Sequence, residues 1–149
     1  MTATTRRKPP SDASPAPAST AATATFDLLG RMTAQDDPDL GRVRYLYNSL
    51  GEPRCRQDAA GNLTVTAHDG LGRIASRRDY RAHGGASCST LHRAQAAHLE
   101  GDASWAYDEG NGLGQLSEVR DAATGYRRAQ RHDALGRPST AETVPGAGA

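Results

Sequence analysis

The chain has 149 residues, enough for one domain, yet Leu, Ile, Val and Phe together number only 18, about an eighth of it, which is thin for a packed core. Net charge is +1, and beyond residue 25 there are 15 basic and 16 acidic side chains with signs interspersed, so no basic face is offered to nucleic acid. No run approaches the ~18 apolar residues of a membrane span, and the basic start Arg6-Arg7-Lys8 leads into Pro-Pro-Ser-Asp, not the apolar stretch of a signal peptide.

Residues 1–25 are Ala, Thr, Ser and Pro with no large apolar side chain after Met1. Such a segment cannot bury enough surface to offset its ordering entropy, which predicts a disordered tail. From Phe26 a repeat begins. FDLLGR (26–31) recurs as YNSLGE (47–52), HDGLGR (68–73) and HDALGR (132–137), with an expanded copy, YDEGNGLGQ, at 107–115. The final glycines, Gly30, Gly51, Gly72, Gly114 and Gly136, are separated by 21, 21, 42 and 22 residues. Because 42 is twice 21, one degenerate copy is expected in the gap, with its glycine slot at Arg93.

A second set of turn signals ends at Gly41, Gly61 and Gly125. Together the two sets give a turn every 10 or 11 residues, the spacing of successive short strands. In Asp27-Leu28-Leu29-Gly30, Asp suits the first position of a type I turn and Gly the fourth. The Asp side chain can bond the backbone two residues on, and Gly accepts positive φ, so the predicted loop is a type I turn closed by a glycine bulge. Asn48, Asp58, Asp69, Asn111 and Asp133 stand in the same relation to their glycines. Between turns, Val43, Tyr45 and Tyr47 alternate with Arg42, Arg44 and Leu46. Leu63, Val65 and Ala67 alternate with polar neighbours in the same way. The prediction is an all-β antiparallel meander of hairpins over 26–144, with one apolar face and a disordered end at 145–149.

The repeat is weak over 80–103. Ser89–Glu100 reads equally as a short helix, capped by Ser89 or Thr90 and stopped at Gly101, or as a loop insertion. Cys55 and Cys88 are too few for a disulfide framework, and a single bridge between them is open but not required.

The copies FDLLGR, HDGLGR, YDEGNGLGQ and HDALGR resemble the YD repeats of the RHS family, over roughly four fifths of the chain. Asp27, Asp69, Asp108 and Asp133 match the motif's acid, and Gly30, Gly72, Gly114 and Gly136 its glycine. Asn48 and Gly51 fill the same slots in the second copy, and Arg31, Arg73 and Arg137 follow the glycine. The family's repeats build a long sheet that spirals into a hollow shell around a toxin domain. The resemblance implies an incomplete piece of such a shell, non-catalytic and structural. It also implies a secreted or cell-surface setting, and neighbouring RHS repeats or a toxin-system protein as partners.

No catalytic, cofactor or metal site is expected. His83, Cys88, His92 and His98 fall within sixteen residues but lack the paired spacing that closes on zinc. Cys88 beside a histidine has no orienting third group for nucleophilic catalysis. The repeat aspartates are each accounted for by a turn and do not converge as calcium ligands must. His68 and His132 occupy the aromatic slot of the repeat, where a flat ring packs. Arg73 reads as a solvated charge. The alternative function is binding of glycans or a protein on the sheet face, through Tyr45, Tyr47, Trp105, Tyr107 and Tyr126.

Overall fold

The computed structural model describes residues 21–82, 87–90 and 98–147. Ten strands succeed one another: β1 (Thr23–Phe26), β2 (Met32–Asp37), β3 (Gly41–Tyr47), β4 (Pro53–Gln57), β5 (Leu63–His68), β6 (Ile74–Tyr80), β7 (Leu99–Tyr107), β8 (Leu116–Asp121), β9 (Tyr126–His132) and β10 (Pro138–Val144). Each pairs antiparallel with the next, so sequence order is sheet order in one open ten-stranded meander. No described helix is long and apolar enough to cross a membrane.

The hairpins form where the Asp–Gly spacing predicts them. The Gly30 amide donates to Asp27 O at 3.0 Å and the Asp27 amide to Arg31 O at 2.9 Å, a type I turn followed by a glycine at φ +76°. The same pair of bonds recurs at Asn48–Glu52, Asp69–Arg73 and Asp133–Arg137. Each of these hairpins also carries a second irregularity further in. Phe26 pairs Met32 but Thr25 pairs Ala34, and the register slips likewise beside Tyr47, His68, Tyr107 and His132. Bulges sharpen the local right-handed twist, so each unit coils the sheet at the same place.

The order predicted from the 42-residue step is corrected by the pairing. β6 lies directly against β7, from Ser76 with Ser104 to Asp79 with Gly101. The hairpins at Gly72 and Gly114 are therefore neighbours in the described sheet. The surplus belongs to the β6–β7 connection, at the end of the sheet where the sister connections are the short turns at Gly41, Gly61 and Gly125. Arg93, the expected glycine slot, lies outside the described residues. So does most of the segment read as helix or loop. Of that segment, Ser89 and Thr90 complete a single 3-10 turn with Cys88, while Leu99–Gly101 belong to β7. Gly101 is no helix stop; its strand is recruited by pairing with β6.

The tail prediction for 1–20 lies outside the described residues, but Thr23–Thr25 are strand, held by backbone pairing to Ala34–Asp36. At the other end, the Ala147 amide donates to Thr124 O at 2.6 Å, so 145–147 lie on the β8–β9 turn.

Residues paired across strands share a face, and the register puts apolar side chains on both faces. Val43, Tyr45, Tyr47, Trp105, Val119 and Tyr126 line one, all half-buried. On the other, Leu46 pairs with Cys55, Cys55 with Val65, and Leu63 with Tyr80. The single apolar face predicted from β3 fails because β4 and β5 use the opposite one. Over that opposite face lie residues 87–90 of the β6–β7 connection: the 3-10 turn packs on β3 and β4, and Cys88 is disulfide-bonded to Cys55. Cys55, Leu63, Tyr80 and Cys88, with Val65 alongside, are the main buried cluster.

Candidate functional site

The chemistry-bearing residues of the repeat gather along one end of the sheet, at the turns of Gly30, Gly51, Gly72, Gly114 and Gly136. In the first unit Asp27 Oδ1 accepts from the Leu29 and Arg31 amides at 2.9 and 3.0 Å, and Oδ2 accepts from Arg31 Nε at 2.7 Å. Asp69 with Arg73 and Asp133 with Arg137 repeat this pattern bond for bond. In the second unit the polarity is exchanged. Asn48 Oδ1 accepts the Leu50 and Glu52 amides while its Nδ2 donates to Glu52 Oε2 at 2.6 Å. Asn–Glu replaces Asp–Arg with donor and acceptor reversed, and the turn is kept.

Arg31 and Arg73 also reach the next unit. The Arg31 guanidinium lies 4.9 Å over the Tyr47 ring, whose hydroxyl donates to Met32 O at 2.8 Å. Arg73 lies 4.3 Å over Tyr107, whose hydroxyl donates to Ile74 O at 2.9 Å. Between them, Glu52 Oε2 stands 3.8 Å from His68 Nδ1. In the first three units the residue after the glycine thus meets the following unit's aromatic, and these contacts form a ladder along that end of the sheet. A cation over a ring contributes about 0.5–1 kcal/mol when exposed and more when desolvated.

The expanded copy is the exception that tightens the ladder. Asp108 takes φ +65°, a region Asp tolerates better than most residues, and accepts the Gly114 amide at 2.6 Å. It makes no turn bond of the Asp69 kind with its own Gln115 side chain; instead it accepts both terminal nitrogens of Arg73, at 3.2 and 2.6 Å. Arg73 therefore joins two carboxylates and a ring, and is not the solvated charge that its place in the sequence implied. Replacing Arg73 by Gln is expected to lower the urea midpoint, because Asp69 and Asp108 lose their guanidinium partner and Tyr107 its stacking. Gly72→Val is expected to cost about 1–3 kcal/mol from its φ of +79° alone. A Cβ there also meets Glu52 Oε1 at 3.0 Å. Urea titration of the two variants measures both, and a free Arg73→Gln substitution would contradict the ladder.

The turn carboxylates are acidified. For Asp133 the Arg137 guanidinium is the main cause, for Asp108 that of Arg73, and for Asp27 the Arg31 amide, each holding the carboxyl below its usual range. At Asp69 burial pushes upward but is outweighed by the Arg73 and Leu71 bonds. A carboxyl lowered by folding stabilises the native state above its unfolded pKa, and that contribution is lost as pH falls through the folded value. Stability should accordingly hold from neutral pH down to about pH 4 and fall below it, as urea midpoints between pH 3 and 7 would show.

Cys88 Sγ is bonded to Cys55 Sγ and leaves no thiol to act as nucleophile. His83 and His92 lie outside the described residues, and among the described residues no group of three His, Cys, Asp or Glu could hold a metal ion. His132 is buried in its aromatic slot, its ring against Gly112. The aromatics read as a binding face are dispersed. Tyr47 and Tyr107 are taken up by the ladder, and Tyr45, Trp105 and Tyr126 stand on β3, β7 and β9. At ~4.8 Å per strand, Tyr45 is about 19 Å along the sheet from Trp105. The ladder itself was missed in the sequence, though the Arg, Glu, Arg, Gln, Arg succession after the glycines was its visible trace.

No family model and no curated protein matches the chain. Among solved structures it is similar to the crystal structure of TcdB2-TccC3, at 14% identity and a TM-score of 0.49, over 80% of this chain and 7% of that one. It is also similar to a chain of the Photorhabdus luminescens Tc holotoxin pore, at 12% identity and a TM-score of 0.39, over 83% of this chain and 9% of that one. The chain thus spans less than a tenth of the length of these structures.

Proposed function

We propose that this chain is a wall segment of an RHS-type repeat shell, a scaffold without catalytic activity whose partners are further repeats or proteins of a toxin system. The observation that carries this is the ladder. Each of the first three units contributes half of an interface, a guanidinium or the Glu52 carboxylate, and the next unit supplies the ring that it meets. Units of this kind propagate along a sheet but do not close a core by themselves. The main buried cluster is correspondingly small, and large apolar residues such as Leu28, Leu29, Leu50, Leu71, Leu113 and Leu135 at the turns are exposed. The buried Cys55–Cys88 bridge fits an oxidising compartment, in line with a secreted or cell-surface assembly.

An isolated piece of wall should be marginal, with one layer over most of its area and two unpaired edges. The test is thermal unfolding followed by circular dichroism, with hydrogen exchange on the same sample. The expected result is a β-rich spectrum, a broad melt, and protection concentrated in β4–β6 near the bridge. A sharp two-state melt with protection spread evenly to β1 and β10 would mark a self-sufficient domain and overturn the proposal. Assays for peptide, ester, phosphate and glycoside hydrolysis should match buffer.

A further inference from the structure

The hairpin turns carry leucines that the turns do not need. Leu29, Leu50, Leu71 and Leu135 stand just before the glycine, and each gives the turn only its backbone amide, bonded to the Asp or Asn two residues back. Leu113 holds the same place in the expanded copy. The five side chains are 76–80% exposed, and the residue before each is uncharged. Successive hairpins lie two strands apart, about 9.6 Å, so the leucines make a ridge roughly 38 Å long at one end of the sheet. With Leu28, fully exposed beside Leu29, they present on the order of 800 Å² of apolar surface. That is one partner's share of a standard interface, and more than a monomer ordinarily leaves in water.

We propose that a second copy of this chain docks on the leucine ridge, ridge against ridge about a two-fold axis. Period and charge select this occupant. A partner that meets all five leucines must carry apolar side chains at the same two-strand interval, and the ridge of another copy does. The neighbouring charges are already engaged within their own turns: Arg31, Arg73 and Arg137 with the turn aspartates, and Glu52 with Asn48. An acidic or basic partner therefore finds no uncommitted row of opposite charge along the ridge. The opposite end of the sheet does not match it, since the described turns there hold Pro38-Asp39-Leu40, Ala59-Ala60 and Ala122-Ala123. A contact between like patches is isologous and closes as a dimer. With the ridges fully overlapped, two-fold symmetry sets the central unit against itself. Leu71 of one copy then meets Leu71 of the other, whichever way the ridges run. The inference goes beyond the shell-wall function and does not depend on it.

The test is sedimentation velocity of the full chain over a wide concentration range. Wild type is expected to pass from monomer to dimer and stop there. Leu71→Glu and Leu71→Lys each bring like charges together at the axis and should weaken the dimer by about tenfold or more. Mixed in equal amounts the two should recover it, since the carboxylate of one copy then meets the ammonium of the other. Leu40→Glu, at a leucine 75% exposed on the opposite end of the sheet, should leave the dimer unchanged. Circular dichroism should be the same for all, because the turns use none of these side chains. Should a charged variant lose its spectrum, Leu71→Ala replaces it, again with about a tenfold weakening from the two leucines lost per dimer. Wild type monomeric throughout, growth past the dimer, or a dimer surviving the Leu71 variants would each overturn the proposal. So would failure of the mixture to recover, or loss of the dimer in Leu40→Glu. A wild-type monomer with the broad melt described above would leave the shell-wall function standing.

Discussion

Replacing both Cys55 and Cys88 by alanine should destabilise the sheet by about 3–4 kcal/mol, the chain-entropy value for a bridge of this span. The two cysteines are 33 residues apart in sequence, one in the middle of β4 and the other in the connection that leaves β6. Both are buried in the cluster with Leu63 and Tyr80. The bridge ties the only described second layer to the sheet, so its loss also uncovers those side chains. For a chain with so small a core, that amount is of the order of the whole stability. Protection from hydrogen exchange in β4 and β5 should collapse in the double variant. Reductant should move the wild type to the same state and leave the variant unaffected. Equal urea midpoints for wild type with and without reductant would show that the bridge contributes nothing.

Leu63→Ala is expected to cost about 2–4 kcal/mol. Leu63 is only 2% exposed, the largest side chain fully buried among the described residues. It pairs with Gln57 on one side and Tyr80 on the other, in the buried cluster with Cys88. Removing it leaves a cavity roofed by a tethered segment that cannot collapse freely. The comparison is Leu71→Ala, at an exposed turn position, which should stay within about half a kcal/mol. Guanidinium titrations of the two would settle the ranking, and equal costs would mean that the Cys55–Tyr80 cluster is not packed. Together with the bridge variants, this pair separates what the covering connection adds from what the sheet holds by itself.

The repeat could be read without coordinates because its signals are local. A carboxylate or amide that bonds amides two and four residues on, and a glycine that accepts positive φ, act within five residues. Asp27 to Arg31 or Asp69 to Arg73 therefore announce a hairpin wherever they stand. Ten-residue spacing between such turns leaves room only for short antiparallel strands, and the meander follows. What the tertiary structure decided are the contacts between units. The 21-residue ruler reads the Gly72–Gly114 step as two units, and spacing cannot distinguish a decayed repeat from an insertion; the pairing of β6 with β7 makes the two hairpins neighbours in the sheet. The face used by each strand depends on register, so Val43 and Val65, both in alternating strands, point to opposite sides. Cys55 and Cys88 become partners only when the 3-10 turn of the β6–β7 connection lies over β4. Arg73 looks like any surface arginine until the ring of Tyr107 and the carboxylate of Asp108, more than thirty residues away, close around it. Turns are written in neighbouring residues, whereas the ladder and the bridge depend on which strands the chain sets side by side.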